Sequence, residues 1–188
     1  GPSIALVNCW IKPASATPLS AVILVEVFEE AGLPAGVLNL VTGPGGSVGN
    51  TLVEDPRVGG ISFTGSTEVG TSITARASEL LKKVQCEMGG KNAAIILNDA
   101  DLEKAVPGVV GGAFGSTGQR CTATSRAIVE DGIYDEFMKT LIAQTTALTI
   151  GDGMDETKDV APLSSKNQLD TVLEYIGIGT EEGAKLTF

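Results

Sequence analysis

Cys121 stands in the segment Gly118-Gln119-Arg120-Cys121, and Glu87 lies upstream in Cys86-Glu87-Met88-Gly89-Gly90-Lys91. A thiol that attacks a carbonyl needs open space for the incoming carbon, a field favouring thiolate, and a base for the second half-reaction. Glycines near both residues give the space, Arg120 is a cation beside the thiol, and Glu87 is a carboxylate able to take a proton from water. These types point to covalent catalysis by cysteine. Free cysteine is commonly buried and inert, and Cys86, within apolar Val84-Gln85-Cys86, fits that description. The polar stretch Ser116-Thr117-Gly118-Gln119-Arg120 is poor core material and sets Cys121 apart. An isolated Glu87 is otherwise an ordinary strand-end charge.

The sequence contains no histidine. Neither a Ser-His-Asp nor a Cys-His site can be assembled within it, and the commonest transition-metal ligand is missing. Any general base here is Glu, Asp, Lys or water, and no metal centre is expected. Three cysteines, Cys9, Cys86 and Cys121, form an odd set without CxxC spacing. That argues against a disulfide framework or a zinc ribbon and for a reducing, cytoplasmic setting.

A second chemistry is suggested by Phe63-Thr64-Gly65-Ser66-Thr67-Glu68-Val69-Gly70, which joins an expected strand to an expected helix. Glycine there lets a ligand approach the backbone, the free N–H groups of the helix start favour a phosphate, and Ser66 adds a hydroxyl. A plain capped turn has the same composition. The pattern is neither Walker A, since no Lys-Ser/Thr follows Gly70, nor GxGxxG. Lys12, in Lys12-Pro13-Ala14-Ser15, ends the first expected strand. Ligands of doubly wound sheets bind beyond the carboxyl ends of strands, so Lys12 could reach a ribose or phosphate, or simply be solvated. Ser15 is small and uncharged and would not repel an extra phosphate.

The elements needed to hold these groups alternate along the chain. Apolar runs predict strands over 4–11, 37–41, 58–63 and 83–86, with helices over 17–31, 47–53 and 66–81 between them. Pro18 suits the first turn of the first helix, and Gly32 followed by Pro34 stops it. This rhythm implies a parallel sheet with helices on both faces. Beyond Gly89-Gly90 a second unit is expected, with strands over 93–97 and 127–129 and helices over 101–113, 134–147 and 168–176. Asp99 or Asp101 would cap the first of these helices. An acidic loop is expected over 151–162, and Leu186-Thr187-Phe188 looks like the start of a strand, as in a piece of a longer protein.

Of the 188 residues, 43% are hydrophobic and 19% charged, enough to bury a core. Thirteen basic residues against 23 acidic give a formal net charge of −10, and no basic run interleaves with aromatics. A nucleic-acid surface is therefore not expected. Nor is a membrane span, because no segment is long and apolar enough.

Taken together, KPASATP (12–18), EAGLPAGVLNLVTG (30–43), ISFTGSTEVG (61–70), CEMGGK (86–91), NDADLEKAV (98–106), GQRC (118–121) and IYDEF (133–137) closely resemble the aldehyde dehydrogenase superfamily. The resemblance implies an α/β architecture: a parallel, doubly wound, Rossmann-like NAD(P)-binding domain over 1–87, then the first part of an α/β catalytic domain over 88–188. It implies Cys121 as nucleophile and Glu87 as general base. Gly65, Ser66 and Gly70, with Phe63 leading in, match the cofactor-pyrophosphate turn, and Lys12 matches the lysine at the adenosine ribose. Gly45 and Gly49 fall on a further cofactor-lining turn. At Ser15 many NAD-preferring members carry Glu, so serine looks like a member that accepts NADP.

The implied reaction is NAD(P)-dependent oxidation of a small-molecule aldehyde through a cysteine thiohemiacetal and thioester. KPASATP and IGDGMDETKDVAPL resemble succinic-semialdehyde dehydrogenases, whereas GGKNAAIILNDADLEKAV and FGSTGQRCTATSR resemble 2-oxoglutarate-semialdehyde dehydrogenases. Both suggest a short ω-semialdehyde acid. Glu87 disfavours a CoA-acylating member, and the Cys121–Glu87 pair disfavours a silent dinucleotide-binding or assembly module. The family's oxyanion-hole asparagine and its ribose-orienting glutamate have no counterpart in these residues, so little turnover is expected from the 188 residues alone. The parent protein is expected to be a homodimer or homotetramer. The first strand is about one residue short of the family's usual pattern, which bears on its register.

Overall fold

The computed structural model describes residues 8–187. Strand β1 (Cys9–Ile11) and strand β2 (Leu38–Leu40) pair in parallel, with Cys9 opposite Leu38 and Ile11 opposite Leu40. Helix α1 (Leu19–Glu30) connects them. Its end follows from one glycine: Gly32, at φ +87°, lets its N–H reach Glu29 O (2.9 Å) while the Leu33 N–H reaches Phe28 O (3.0 Å). These two bonds satisfy carbonyls that the helix leaves open.

A π-type turn over Gly45–Gly49 runs directly into α2 (Asn50–Glu54). Strands β3 (Gly60–Gly65) and β4 (Lys83–Met88) pair with each other, and α3 (Thr67–Glu79) joins them. Ser66 caps α3 by accepting the Val69 N–H at 3.3 Å. Buried Val53 and Ala77 bring α2 and α3 together. Arg76 of α3 reinforces that contact, since its Nε and Nη2 donate to both carboxylate oxygens of Glu54 at 2.7 and 2.5 Å.

The chain divides after Glu87 into two compact units, Gly1–Glu87 and Met88–Phe188. In the second, β5 (Asn92–Ile96) and β6 (Thr124–Val129) are parallel, with an irregularity between Asn92 and Ala93. Helix α4 (Leu102–Phe114) crosses between them and is capped by Asp101, whose carboxylate accepts the Glu103 N–H at 3.1 Å. Helices α5 (Asp131–Thr146) and α6 (Lys166–Glu181) follow. Ile96, Val106, Val109, Val110, Ile133 and Phe137 form the core, with Phe137 and Val106 wholly buried. Gly112 lets α4 approach β6 closely, because a Cβ there would lie 2.6 Å from Thr124 Oγ1.

Several expectations are corrected. Residues 47–53 do not form one α-helix, because the Gly-rich stretch widens into a π-type turn before α2 begins. The third strand runs over Gly60–Gly65, two residues later than expected, because Asp55-Pro56-Arg57 closes a turn in which the Val58 N–H donates to Asp55 O. Strand β4 continues to Met88, so Glu87 lies inside a strand. Strand β6 starts at Thr124, and α6 extends at both ends of the expected helix. Residues 184–187 form no strand, and Phe188 lies outside the described residues. The expected first strand begins at Cys9, the part before residue 8 also lying outside them. The described strands associate as three pairs. Among the described residues, no helix is long and apolar enough to cross a membrane.

Candidate functional site

In the first unit, the residues at the ends of β1 and β2 converge on one carbonyl. Lys12 Nζ donates to Gly43 O at 3.1 Å and to Pro13 O at 2.6 Å, and Ser15 Oγ donates to Gly43 O at 3.3 Å. Lys12 is half-buried and therefore not a freely solvated lysine. Gly43 sits at φ +147°, and a Cβ there would lie 2.6 Å from Val48 Cγ2. Only glycine fits both its conformation and that space. A small cavity of about 140 Å³ opens here, walled by Pro13, Ser15, Pro18, Thr42 and Pro44. Its walls are largely apolar, with the Ser15 hydroxyl on them and no carboxylate among its lining residues. Gly49 also faces Lys12, since a Cβ at 49 would lie 3.9 Å from Lys12 Cδ. Gly45 opens the π-type turn and has nothing within 4 Å of its Cβ position.

A shallow depression of about 550 Å³ lies along α2, lined by Ser47, Asn50, Thr51, Glu54 and Asp55. The hydrogen bond from Arg76 holds the Glu54 carboxyl below its ordinary range. Asp55 is lowered further by the side chain and backbone N–H of Arg57. Both acids are thus committed to structural pairs.

The β3–α3 turn is the second group. Ser66 is extended (φ −70°, ψ 151°) and caps α3, while the Gly70 N–H donates to Ser66 O at 2.9 Å. Gly70 is buried. Phe63 folds back so that its ring overlaps the place a Cβ on Gly65 would occupy. The turn therefore presents bare backbone beside an aromatic ring at a helix start, an arrangement suited to an anion. Cys86 belongs to the structural side of this unit: it is half-buried, with Sγ 3.4 Å from Thr74 Oγ1 and 3.7 Å from Gly70 O. Glu87, next to it on β4, is exposed.

In the second unit the cysteine turn is built from unusual backbone. Ser116 (φ 53°), Thr117 (φ 60°) and Gly118 (φ 67°) are left-handed in succession. Two of the three carry a Cβ, at a cost of about 1–2 kcal/mol each. Gly118 is required as glycine, since a Cβ there would meet Ala113 O at 2.8 Å. Long-range hydrogen bonds offset the strain. Thr117 Oγ1 donates to Ala161 O at 3.0 Å, and Gln119 Oε1 accepts from both Ser164 Oγ (2.8 Å) and Ser164 N–H (3.2 Å). Arg120 Nε donates to Ser116 Oγ at 3.0 Å, which commits that guanidinium to the turn itself.

Cys121 follows as an exposed thiol. Asn92 Nδ2 donates to Cys121 O at 2.8 Å and to Ala123 O at 3.3 Å. Asn92, Thr117 and the partners of Gln119 are not legible as site residues in the sequence. For Asn92 and Thr117 the only signal is polarity beside glycines, and Ser164, the partner of the Gln119 side chain, lies in a stretch without glycine. Glu87 and Cys121 fall in different units. Among the described residues, no group of three His, Cys, Asp or Glu side chains could hold a metal ion.

The chain belongs to the aldehyde dehydrogenase family, whose model matches residues 1–188. Similar proteins sharpen this. The chain is 52% identical over 176 residues to the alpha-ketoglutaric semialdehyde dehydrogenase of Bacillus subtilis (strain 168), covering 94% of the chain and 36% of that protein. It is 43% identical to succinate-semialdehyde dehydrogenase (NADP(+)) GabD of Escherichia coli (strain K12), covering 99% of the chain and 39% of that protein. A crystal structure of an NAD-dependent aldehyde dehydrogenase from Sinorhizobium meliloti superimposes with a TM-score of 0.94 at 36% identity, covering 96% of this chain and 36% of that one. The fold is the Rossmann-like α/β fold of these enzymes. The chain spans little more than a third of the length of the curated relatives it matches.

Proposed function

We propose that this chain serves the NAD(P)-dependent oxidation of a short ω-semialdehyde acid to the dicarboxylic acid, with Cys121 as nucleophile and Glu87 as general base. The observation that carries the reading is the exposed Cys121 at the end of a left-handed turn fixed by long-range hydrogen bonds, in a chain of this family. Residues 1–87 would bind the cofactor and 88–188 would carry the nucleophile.

In this mechanism the Cys121 thiolate adds to the aldehyde carbon, forming a C–S bond and an oxyanion that the Cys121 backbone N–H stabilises. Bound NAD(P)+ supplies the acceptor for the hydride lost from that carbon. Cys121 then holds the acyl group as a thioester. Glu87 takes a proton from water, the hydroxide adds to the thioester carbon, and the C–S bond breaks to return the thiolate and the acid.

The groups available for NAD(P) are Lys12 and Ser15 with the Gly43 turn, Gly45 and Gly49 on the π-type turn, and Phe63, Gly65, Ser66 and Gly70 at the start of α3. They fit: Gly65 leaves its backbone bare under Phe63, and the cavity beside Ser15 has no carboxylate among its lining residues to oppose a 2′-phosphate. NADP is the favoured cofactor on that ground, and the GabD relative named for NADP(+) supports it. The semialdehyde assignment rests on the two relatives named for such substrates. We further propose a cytoplasmic homodimer or homotetramer for the whole protein, and little turnover from these 188 residues alone.

The test is formation of reduced nicotinamide from succinic and 2-oxoglutaric semialdehydes, with NAD and NADP in parallel. It is run on the complete protein. Turnover on either aldehyde supports the assignment. No turnover on both, with activity on an uncharged aldehyde, overturns the substrate class and leaves the chemistry standing.

A further inference from the structure

We infer that Asn92 is a positioning residue for Cys121, its side-chain amide setting the backbone from which the thiol projects; this rests on the reading of Cys121 as nucleophile. The geometry is specific. Both hydrogen bonds of the Asn92 amide are donations from Nδ2, to Cys121 O at 2.8 Å and to Ala123 O at 3.3 Å. Two carbonyl oxygens can be served together only by an NH2 group, so the chemistry of the acceptors fixes which end of the amide faces them. Aspartate, of the same shape, has no donor for either when ionised.

Asn92 is itself anchored. Its carbonyl accepts from Ser125 Oγ at 3.4 Å, and the preceding Lys91 carbonyl accepts from Arg126 Nε and Nη2 at 3.1 and 2.5 Å. It also opens β5 opposite Thr124, at the irregularity between Asn92 and Ala93. The irregularity releases its side chain from the regular alternation of the ladder. A rigid strand end therefore grips residues 121–123 from one side.

Thr117 and Gln119 hold the same turn to residues 161–164 from the other. Those three bonds fix the approach to the cysteine, and among Thr117, Gln119 and Asn92 only Asn92 fixes the carbonyl of the cysteine itself. The Cys121 C=O and the Cys121 N–H lie on the two peptide planes that meet at its Cα. Holding one plane while the left-handed turn holds the other sets both the thiol direction and the N–H offered to the oxyanion. A catalytic group misplaced by about 1 Å can cost about a hundredfold in rate.

The experiment compares Asn92→Ala, Asn92→Asp and Asn92→Ser with wild type in the complete protein. It reads kcat, the KM for NADP, and backbone hydrogen exchange by peptide. Expected for Asn92→Ala and Asn92→Asp is a kcat lower by about tenfold to a hundredfold with the NADP KM within about twofold. Exchange should be faster over 116–123 and unchanged over the α4 and α5 peptides. Asn92→Ser, which keeps one shorter donor, should fall between. A folded variant with kcat within about twofold of wild type overturns the inference. So does exchange that rises evenly across the unit, or failure of all three variants to fold, since each makes Asn92 a general stability residue. A Cys121→Ala control separates the two readings: if it retains turnover the nucleophile assignment fails, whereas if it is inactive and the Asn92 variants are normal only the positioning role fails.

Discussion

The ring of Phe63 occupies the space that a side chain on Gly65 would need, so the β3–α3 turn is closed to any residue but glycine unless the ring moves. The aromatic thus polices the backbone it covers. Gly65→Ala should displace Phe63 and destabilise the protein by about 1–3 kcal/mol, read as a lower urea midpoint. It should also raise the KM for NADP more than it lowers kcat, because the turn is assigned to the cofactor and not to the thiol.

Cofactor choice should move with Ser15. Its hydroxyl donates to Gly43 O and lies on the wall of the small cavity. Ser15→Glu puts a carboxylate where the proposal has the 2′-phosphate of NADP. The ratio of kcat/KM for NADP to that for NAD should fall by about tenfold or more, read from initial rates with each cofactor. An unchanged ratio would move the ribose elsewhere.

Cys9 and Cys121 are exposed and Cys86 is not, and a thiol reagent should see this. Cys121 is exposed, whereas Cys86 is half-buried against Thr74 and Gly70. Iodoacetamide at neutral pH, followed by peptide mass spectrometry, should label Cys121 faster than Cys86. Saturating NADP should change the Cys121 rate and leave the Cys86 rate unaltered.

Acid stability is tied to Arg76. Its hydrogen bond lowers the Glu54 carboxyl below its ordinary 4.5 in the folded protein. A depressed carboxylate contributes stability that is present above its unfolded value and lost as pH falls through the folded one. Arg76→Met should therefore lower Tm at pH 7, and the gap to wild type should start to narrow as pH falls below about 4.5 and go on narrowing toward the lower folded value. The pair is exposed, so the gap should be small and should shrink with added salt.

Local chemistry accounts for what the sequence made legible. Ser66 and Asp101 are caps that act within three residues, and Gly32 ends α1 by its own conformation. Cys121 and Glu87 stand out by residue type. The rest depends on contacts distant in sequence. Asn92 is 29 residues from Cys121, Thr117 is 44 from Ala161, and Gln119 is 45 from Ser164. No local pattern encodes such pairs. The left-handed Ser116 and Thr117 were equally hidden, because neither residue prefers that conformation and tertiary bonds impose it. The π-type turn has no signature of its own, because a Gly-rich stretch before a helix reads as part of that helix.

Covalent catalysis by Cys121 is tested by trapping the intermediate on the thiol. The complete protein carrying Glu87→Gln is incubated with 2-oxoglutaric semialdehyde and NADP, quenched in acid and digested. One equivalent of reduced nicotinamide followed by slow turnover is expected, with the acyl mass on the peptide containing Cys121. An acyl mass on another residue, or full steady turnover with no adduct, would contradict covalent catalysis by Cys121.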